Sequence, residues 1–132
     1  MVCIYCGGNT RVTNSRPQKR LHQTWRRRIC IKCDAIFTTN EVVELGTSVI
    51  VRQTDGLIRP FSRDELFMSV YKAIGHRKQP VSDATALTAT VTSKLLSDAK
   101  AALMVEDIKT AVLQVLKRFD KAAAVQYAAY HK

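Results

Sequence analysis

Two cysteine pairs dominate the first third of this chain, Cys3-Ile-Tyr-Cys6 and Cys30-Ile-Lys-Cys33, with 23 residues between them. A CxxC turn presents two thiolates from one knuckle, and two knuckles complete the tetrahedral sulfur set of a closed zinc site. Gly7 and Gly8, directly after the first pair, suit the tight turn of such a knuckle. A disulfide framework would require an oxidising compartment, and nothing in the sequence suggests secretion. A redox CxxC sits singly between a strand and a helix of a larger α/β domain. Four thiolates leave no coordination position for water, so the expected cofactor, one zinc per chain, is structural. A segment of about 45 residues cannot bury enough apolar surface to fold unaided, and the metal is expected to supply its folding energy.

The same segment carries most of the charge. Residues 1–40 hold eight basic side chains against Asp34 alone, a net +7, while the whole chain is +10. Thr10–Arg16 and Thr24–Ile29 read as strands around a basic loop at Pro17–Leu21. Val12, Trp25 and Ile29 alternate with polar groups, which predicts that the single tryptophan covers the ribbon core. The Arg26-Arg27-Arg28 run points successive guanidiniums to alternating sides of its strand. Arginine forks match phosphate oxygens and guanine edges. Arg11, Arg16, Arg26, Arg27, Arg28 and Lys32 are therefore the candidate contacts to double-stranded DNA. RNA readout recruits stacking aromatics, for which the ribbon offers Trp25 and Tyr5; that scarcity favours duplex DNA.

After Gly46 the texture changes, which divides the chain into residues 1–46 and 47–132. Thr47–Gln53 is β-rich, Thr54-Asp55-Gly56 signals a turn, and Leu57–Phe61 returns as a second strand. Ser62-Arg63-Asp64-Glu65 has the form of a capping box ahead of a helix whose inward face is Leu66, Phe67, Val70, Tyr71 and Ile74. Pro80 and Ser82 introduce a second helix, with Ala84, Leu87, Val91 and Leu95 in register. Ile108, Ala111, Val112, Val115, Leu116 and Phe119 give a third at i, i+3, i+4 spacing. Asp120 caps a short fourth helix carrying Val125, Ala128 and Ala129. The expected fold class is α+β: a small four-cysteine zinc ribbon followed by a β-hairpin-capped helical bundle.

No catalytic set emerges. His22, His76 and His131 lack a nucleophile at any recognisable spacing, and there is no GxxxxGK[ST] phosphate loop. No apolar run approaches the ~18 residues that a membrane span requires, so a cytoplasmic location without membrane contact is expected.

The order of these motifs resembles the NrdR-type bacterial repressors of ribonucleotide reductase operons. The ribbon part of the likeness is Cys3-x-x-Cys6-Gly7-Gly8, Val12-Thr13-Asn14-Ser15-Arg16, Arg26 to Cys33, and Phe37-Thr38-Thr39-Asn40-Glu41. The remainder is similar to an ATP-cone through Val51, Asp55-Gly56, Pro60-Phe61, Leu66, Lys72-Ala73 and Asp120 to Tyr130. The resemblance implies a zinc-dependent DNA-binding repressor, nucleoid-associated when bound. Its cone would sense an adenine nucleotide (ATP, dATP or a less phosphorylated form) and reset an even-numbered homo-oligomer. Val51, Arg52, Gln53, Asp55, Gly56, Arg59, Ser62 and Glu65 are the nucleotide-site candidates that follow from it.

Some of those positions depart from the family pattern. A Lys-Arg-Asp-Gly run is expected at the hairpin turn, where this chain has Gln53-Thr54-Asp55-Gly56. Glu65 stands where a cone places a phosphate-binding lysine, and Arg59 where it places an acid. Two other functions remain open at this point: an RNA-binding zinc-ribbon protein, and a non-catalytic cone subunit acting directly on ribonucleotide reductase.

Overall fold

The computed structural model describes residues 1–98 and 100–131. They form two compact units, Met1–Val43 and Glu44–Lys132, each with its own apolar core. The division falls after Val43 rather than Gly46 for a local reason. Glu44 caps a single helical turn, α1 (Leu45–Ser48), whose Leu45 is buried in the second core. The Thr47 and Ser48 hydroxyls also bond to the Glu44 carbonyl, at 3.1 and 2.7 Å. The stretch expected as a strand from Thr47 is therefore helical at its start.

In the first unit β1 (Thr10–Gln18), β2 (Gln23–Cys30) and β3 (Ile36–Val42) form one antiparallel sheet in that order. Pro17 lies inside β1 rather than in a loop, as an edge strand permits, because its missing N–H leaves no ladder bond unmade in the centre of the sheet. The connection to β2 is a 3₁₀ turn, Lys19–Leu21, closed by His22 in the left-handed region at φ 53°. A β-bulge interrupts β1 between Val12 and Asn14. The buried cluster is Cys3, Cys30 and Phe37, with Ala35 against it. Trp25 does not belong to it, contrary to expectation. Trp25 and Cys30 are five residues apart on one strand, so they face opposite sides of the sheet.

The second unit places β4 (Ile50–Arg52) between β5 (Ile58–Pro60), antiparallel, and β6 (Ala102–Met104), parallel. The turn between β4 and β5 uses Gly56 at φ 87°, and the Asp55 carboxylate accepts the Leu57 amide at 3.0 Å. Four helices follow the expected boundaries closely: α2 (Arg63–Ala73), α3 (Pro80–Ser97), α4 (Val105–Phe119) and α5 (Lys121–Tyr130). α3 opens on Pro80, whose fixed φ and missing N–H suit the first helical turn. Two expected faces are different. α2 buries Leu66, Val70 and Ala73 but leaves Tyr71 exposed, and α5 turns Ala123, Ala124 and Tyr127 inward while Val125, Ala128 and Ala129 face water. The core runs from Leu45 and Val51 through Val70, Ile74, Val91 and Leu103 to Leu116 and Tyr127.

Asp120 joins three helix ends. One carboxylate oxygen caps α5, accepting from the amides of Ala122 and Ala123 at 2.9 and 3.2 Å. The other is 2.8 Å from His76 Nε2 and 3.1 Å from Arg77, which also bonds Asp83 at 2.9 Å. The His76 contact first, and then the Ala123 amide, lower the Asp120 carboxyl from 3.8 to about 2. A carboxyl depressed in the folded state contributes stability that is complete above its unfolded value and is lost as pH falls through its folded one. Thermal melts should accordingly show stability declining between about pH 4 and 2, and Asp120→Asn should flatten that decline while keeping the α5 cap.

A four-cysteine centre, a basic sheet face and a small hollow

The sulfurs of Cys3, Cys6, Cys30 and Cys33 all lie within 4.8 Å of one another. Cys3 and Cys33 are separated by 3.7 Å and Cys6 and Cys30 by 3.5 Å. A tetrahedron of thiolates ~2.3 Å from zinc has edges of about 3.8 Å, whereas a disulfide requires about 2.05 Å. The two knuckles are built alike. Each has a residue in the left-handed region just after its second cysteine, Gly7 at φ 74° and Asp34 at φ 59°. Each also aims backbone amides at sulfur: Gly8 N–H at Cys6 (3.4 Å), and the Lys32 and Cys33 N–H groups at Cys30 (3.3 Å each). A Cβ at Gly8 would sit 3.0 Å from Lys32 Cβ and 3.3 Å from Cys6 Sγ, so the knuckles meet only because that position is glycine.

These amides also set the acidity of the sulfurs. The Cys33 N–H, ahead of the Lys32 N–H, helps bring the Cys30 thiol down to about 6 despite its burial. The Gly8 amide favours the Cys6 thiolate, yet sharing protons with the neighbouring sulfurs outweighs it and pushes that thiol up to about 12. Four thiolates cannot coexist at these distances without a cation between them. A soft divalent ion resolves the conflict, and zinc fits the donor set.

The strand register sorts the six basic candidates into three places. One sheet face carries the rungs Arg11–Ile29–Ile36, Asn14–Arg27–Thr38 and Arg16–Trp25–Asn40. The opposite face carries Arg26 and Arg28 with Cys30 and Phe37. Arg26 is 3.3 Å from Glu41, and Arg28 bonds the hydroxyls of Thr39 and Thr10 at 3.4 Å each. Both are half-buried, whereas Arg11, Arg16 and Arg27 are exposed. Lys32 stands apart at the second knuckle. Among the described residues the Arg11/Arg16/Arg27 face holds no carboxylate, since Asp34 is in a knuckle and Glu41 lies on the other side. Sequence reasoning misses the half-buried place of Trp25 on this face; its position opposite Arg16 is visible only once the register is known.

In the second unit a hollow of about 210 Å³ has Val51, Phe61, Leu66, Val105, Ile108 and Tyr127 as its apolar lining and Arg59, Ser62, Glu65, Ser69, Lys109 and His131 as its polar one. Of the eight nucleotide-site candidates, Val51, Arg59, Ser62 and Glu65 line it, whereas Arg52, Gln53, Asp55 and Gly56 belong to the hairpin end outside it. The capping box is half made. Ser62 Oγ accepts the Glu65 amide at 3.2 Å, but the Glu65 carboxylate goes to Arg59, 3.3 Å away, instead of returning to the cap. Tyr127 stacks on His131 with ring centroids 4.0 Å apart, and burial pushes its phenol up to about 12. Lys109, Tyr127 and His131 escape a sequence reading because α4 and α5 come to this hollow through tertiary packing, α4 following the parallel β4–β6 pairing and α5 lying against α2 and α4; Ser69 joins them from α2.

The fold is thus a four-cysteine zinc ribbon followed by a β-hairpin-capped helical unit of mixed α/β type. Residues 1–41 match the family described as "Transcriptional repressor NrdR-like, N-terminal domain". The whole chain is similar to proteins called transcriptional repressor NrdR. It is 33% identical to that of Symbiobacterium thermophilum and covers 87% of that protein. It is 36% identical to that of Sinorhizobium medicae (84% of its length) and 34% identical to that of Methylorubrum extorquens (71% of its length), in each case over all of this chain. This chain belongs to the NrdR family of transcriptional repressors, which is not a family of enzymes. No helix of the described residues is long and apolar enough to cross a membrane.

Proposed function

We propose that this protein is a zinc-dependent repressor of ribonucleotide reductase genes, acting in the cytoplasm on nucleoid DNA. Unit Met1–Val43 binds double-stranded DNA, and unit Glu44–Lys132 binds an adenine nucleotide and joins chains into an even-numbered homo-oligomer. The observation that carries the reading is the carboxylate-free face bearing Arg11, Arg16 and Arg27 on a sheet pinned by four cysteines. A single ribbon covers too little DNA for tight specific binding, since small modules bury only ~600–1,000 Å². Joining chains brings at least two ribbons to one duplex. A nucleotide can control that step only by binding the oligomeric states with different affinity.

The hollow sets the kind of nucleotide. At about 210 Å³ it is smaller than the ~300–1,000 Å³ typical of ligand pockets, enough for a base and part of a sugar. Glu65 already neutralises Arg59 and repels phosphate, and Lys109 is 3.4 Å from Glu106. A less phosphorylated adenine nucleotide is the better match. The test combines binding of a duplex from upstream of the reductase operon with calorimetry of ATP, dATP, AMP and adenosine. Duplex binding that is zinc-dependent and altered by one of these ligands supports the reading; a zinc-loaded protein indifferent to duplex refutes it. Glu65→Lys frees Arg59 and should strengthen ATP binding about tenfold. Gln53→Lys should add less, because Gln53 lies outside the hollow.

A further inference from the structure

Trp25 is the chain's only tryptophan, and it lies half-buried on the sheet face opposite Cys30 rather than in the ribbon core. Its rung is Arg16–Trp25–Asn40, and Arg27 follows two residues on, projecting to the same side. The guanidinium carbons of Arg16 and Arg27 each stand 5.9 Å from the ring centroid. That is the outer limit of a cation–π contact. The arginines beside Trp25 are close enough to hold phosphates at its edge, and the half-buried indole keeps only part of its surface accessible between them.

From this geometry we infer that the Arg16–Trp25–Arg27 face is a stacking platform for single-stranded nucleic acid, a binding activity separate from duplex recognition. Flat aromatic surfaces flanked by cations bind unpaired bases without sequence preference, because every base offers a π-face. The face is charge-complementary to a polyanion: three arginines, two asparagines and a threonine hydroxyl, with no carboxylate among the described residues. Its breadth argues the same way. Three strands ~4.8 Å apart span about 10 Å before side chains are added. The ~12 Å major groove admits a helix or a two-stranded ribbon. Laid on a duplex, this face meets phosphates and Trp25 reaches no base; a single strand can turn its bases onto the indole.

The sole tryptophan makes the test direct, on the full-length zinc-loaded protein at fixed salt. Twelve-residue oligo-dT and oligo-U are titrated against a twelve-base-pair duplex, following Trp25 emission and, separately, affinity by anisotropy of the labelled nucleic acid. Quenching by either single strand that clearly exceeds the change caused by bound duplex is the expected result, and the two oligonucleotides show whether the DNA or the RNA strand is preferred. Trp25→Leu should weaken single-strand binding about tenfold and leave duplex affinity within twofold. Trp25→Phe should restore most of the loss, and unchanged zinc content in both variants separates a lost ring from a lost fold. Absence of quenching by both single strands, or equal weakening of duplex and single-strand binding by Trp25→Leu, would overturn the inference. Duplex binding failing outright would strike the repressor reading and leave this one standing.

Discussion

Removing the metal should unfold residues 1–43 and leave the rest of the protein folded. The first unit buries only Cys3, Cys30 and Phe37, and two of those three belong to the four-cysteine centre. Without the ion its sulfurs are an unfavourable cluster rather than a core. Structural zinc contributes an apparent ~10–16 kcal/mol near neutral pH in comparable small modules, more than a sheet of this size can replace. The second unit has a continuous core from Leu45 to Tyr127 and no need of the ion. Chelation should therefore shift Trp25 emission to that of a solvated indole and collapse the amide dispersion of β1–β3. The helical circular-dichroism signal of α2–α5 should stay. Cys30→Ser/Cys33→Ser should give the same state without chelator. Stoichiometric zinc in that variant, or a ribbon that keeps dispersed amides after chelation, would remove the four-cysteine assignment.

The second large effect concerns DNA. Arg11, Arg16 and Arg27 share one exposed face, so, on the proposed duplex interface, replacing all three with alanine should remove three phosphate contacts at once. Each contact contributes ~0.9 to the slope of log K against log salt, and the loss should flatten that slope by about 2.7. Arg26→Ala/Arg28→Ala removes the same kind of residue from the other face, where both are engaged inside the sheet. That variant should keep the slope and lose only a little stability, since a partly exposed pair such as Arg26–Glu41 contributes ~1 kcal/mol or less. Equal flattening by the two variants would show that the sheet face does not define the interface.

This contrast marks how far the sequence can be read. The metal site is legible because its chemistry is local: two thiolates per knuckle and a left-handed residue after each. The helices are legible because their apolar spacing repeats over ten residues or more. What escapes depends on pairing. Arg11 and Arg16 are five residues apart, so an unbroken strand would send them to opposite faces. The bulge between Val12 and Asn14 adds one residue and returns both to the same side. No composition rule marks that bulge. The strand β6 is three residues long and finds its partner some fifty residues earlier, so its sequence alone carries no periodic signal. The faces of α5 are misread because an alanine-rich helix has no strong apolar stripe, and Tyr127 rather than Val125 is its anchor.

The parallel pairing of β4 with β6 also fixes an order of events during synthesis. β1–β3 and both knuckles are complete once Val43 has been made, whereas β4 must wait for Ala102–Met104, and the second core for Tyr127. At ~5–20 residues per second, the interval from Val43 to Met104 is roughly 3–12 s. For that time the nascent polypeptide presents a finished, metal-competent ribbon tethered to an unfinished second half. The order of synthesis thus permits metal uptake while the chain is still ribosome-bound, and a chain made without the ion is expected to mature in its second half behind an unformed first.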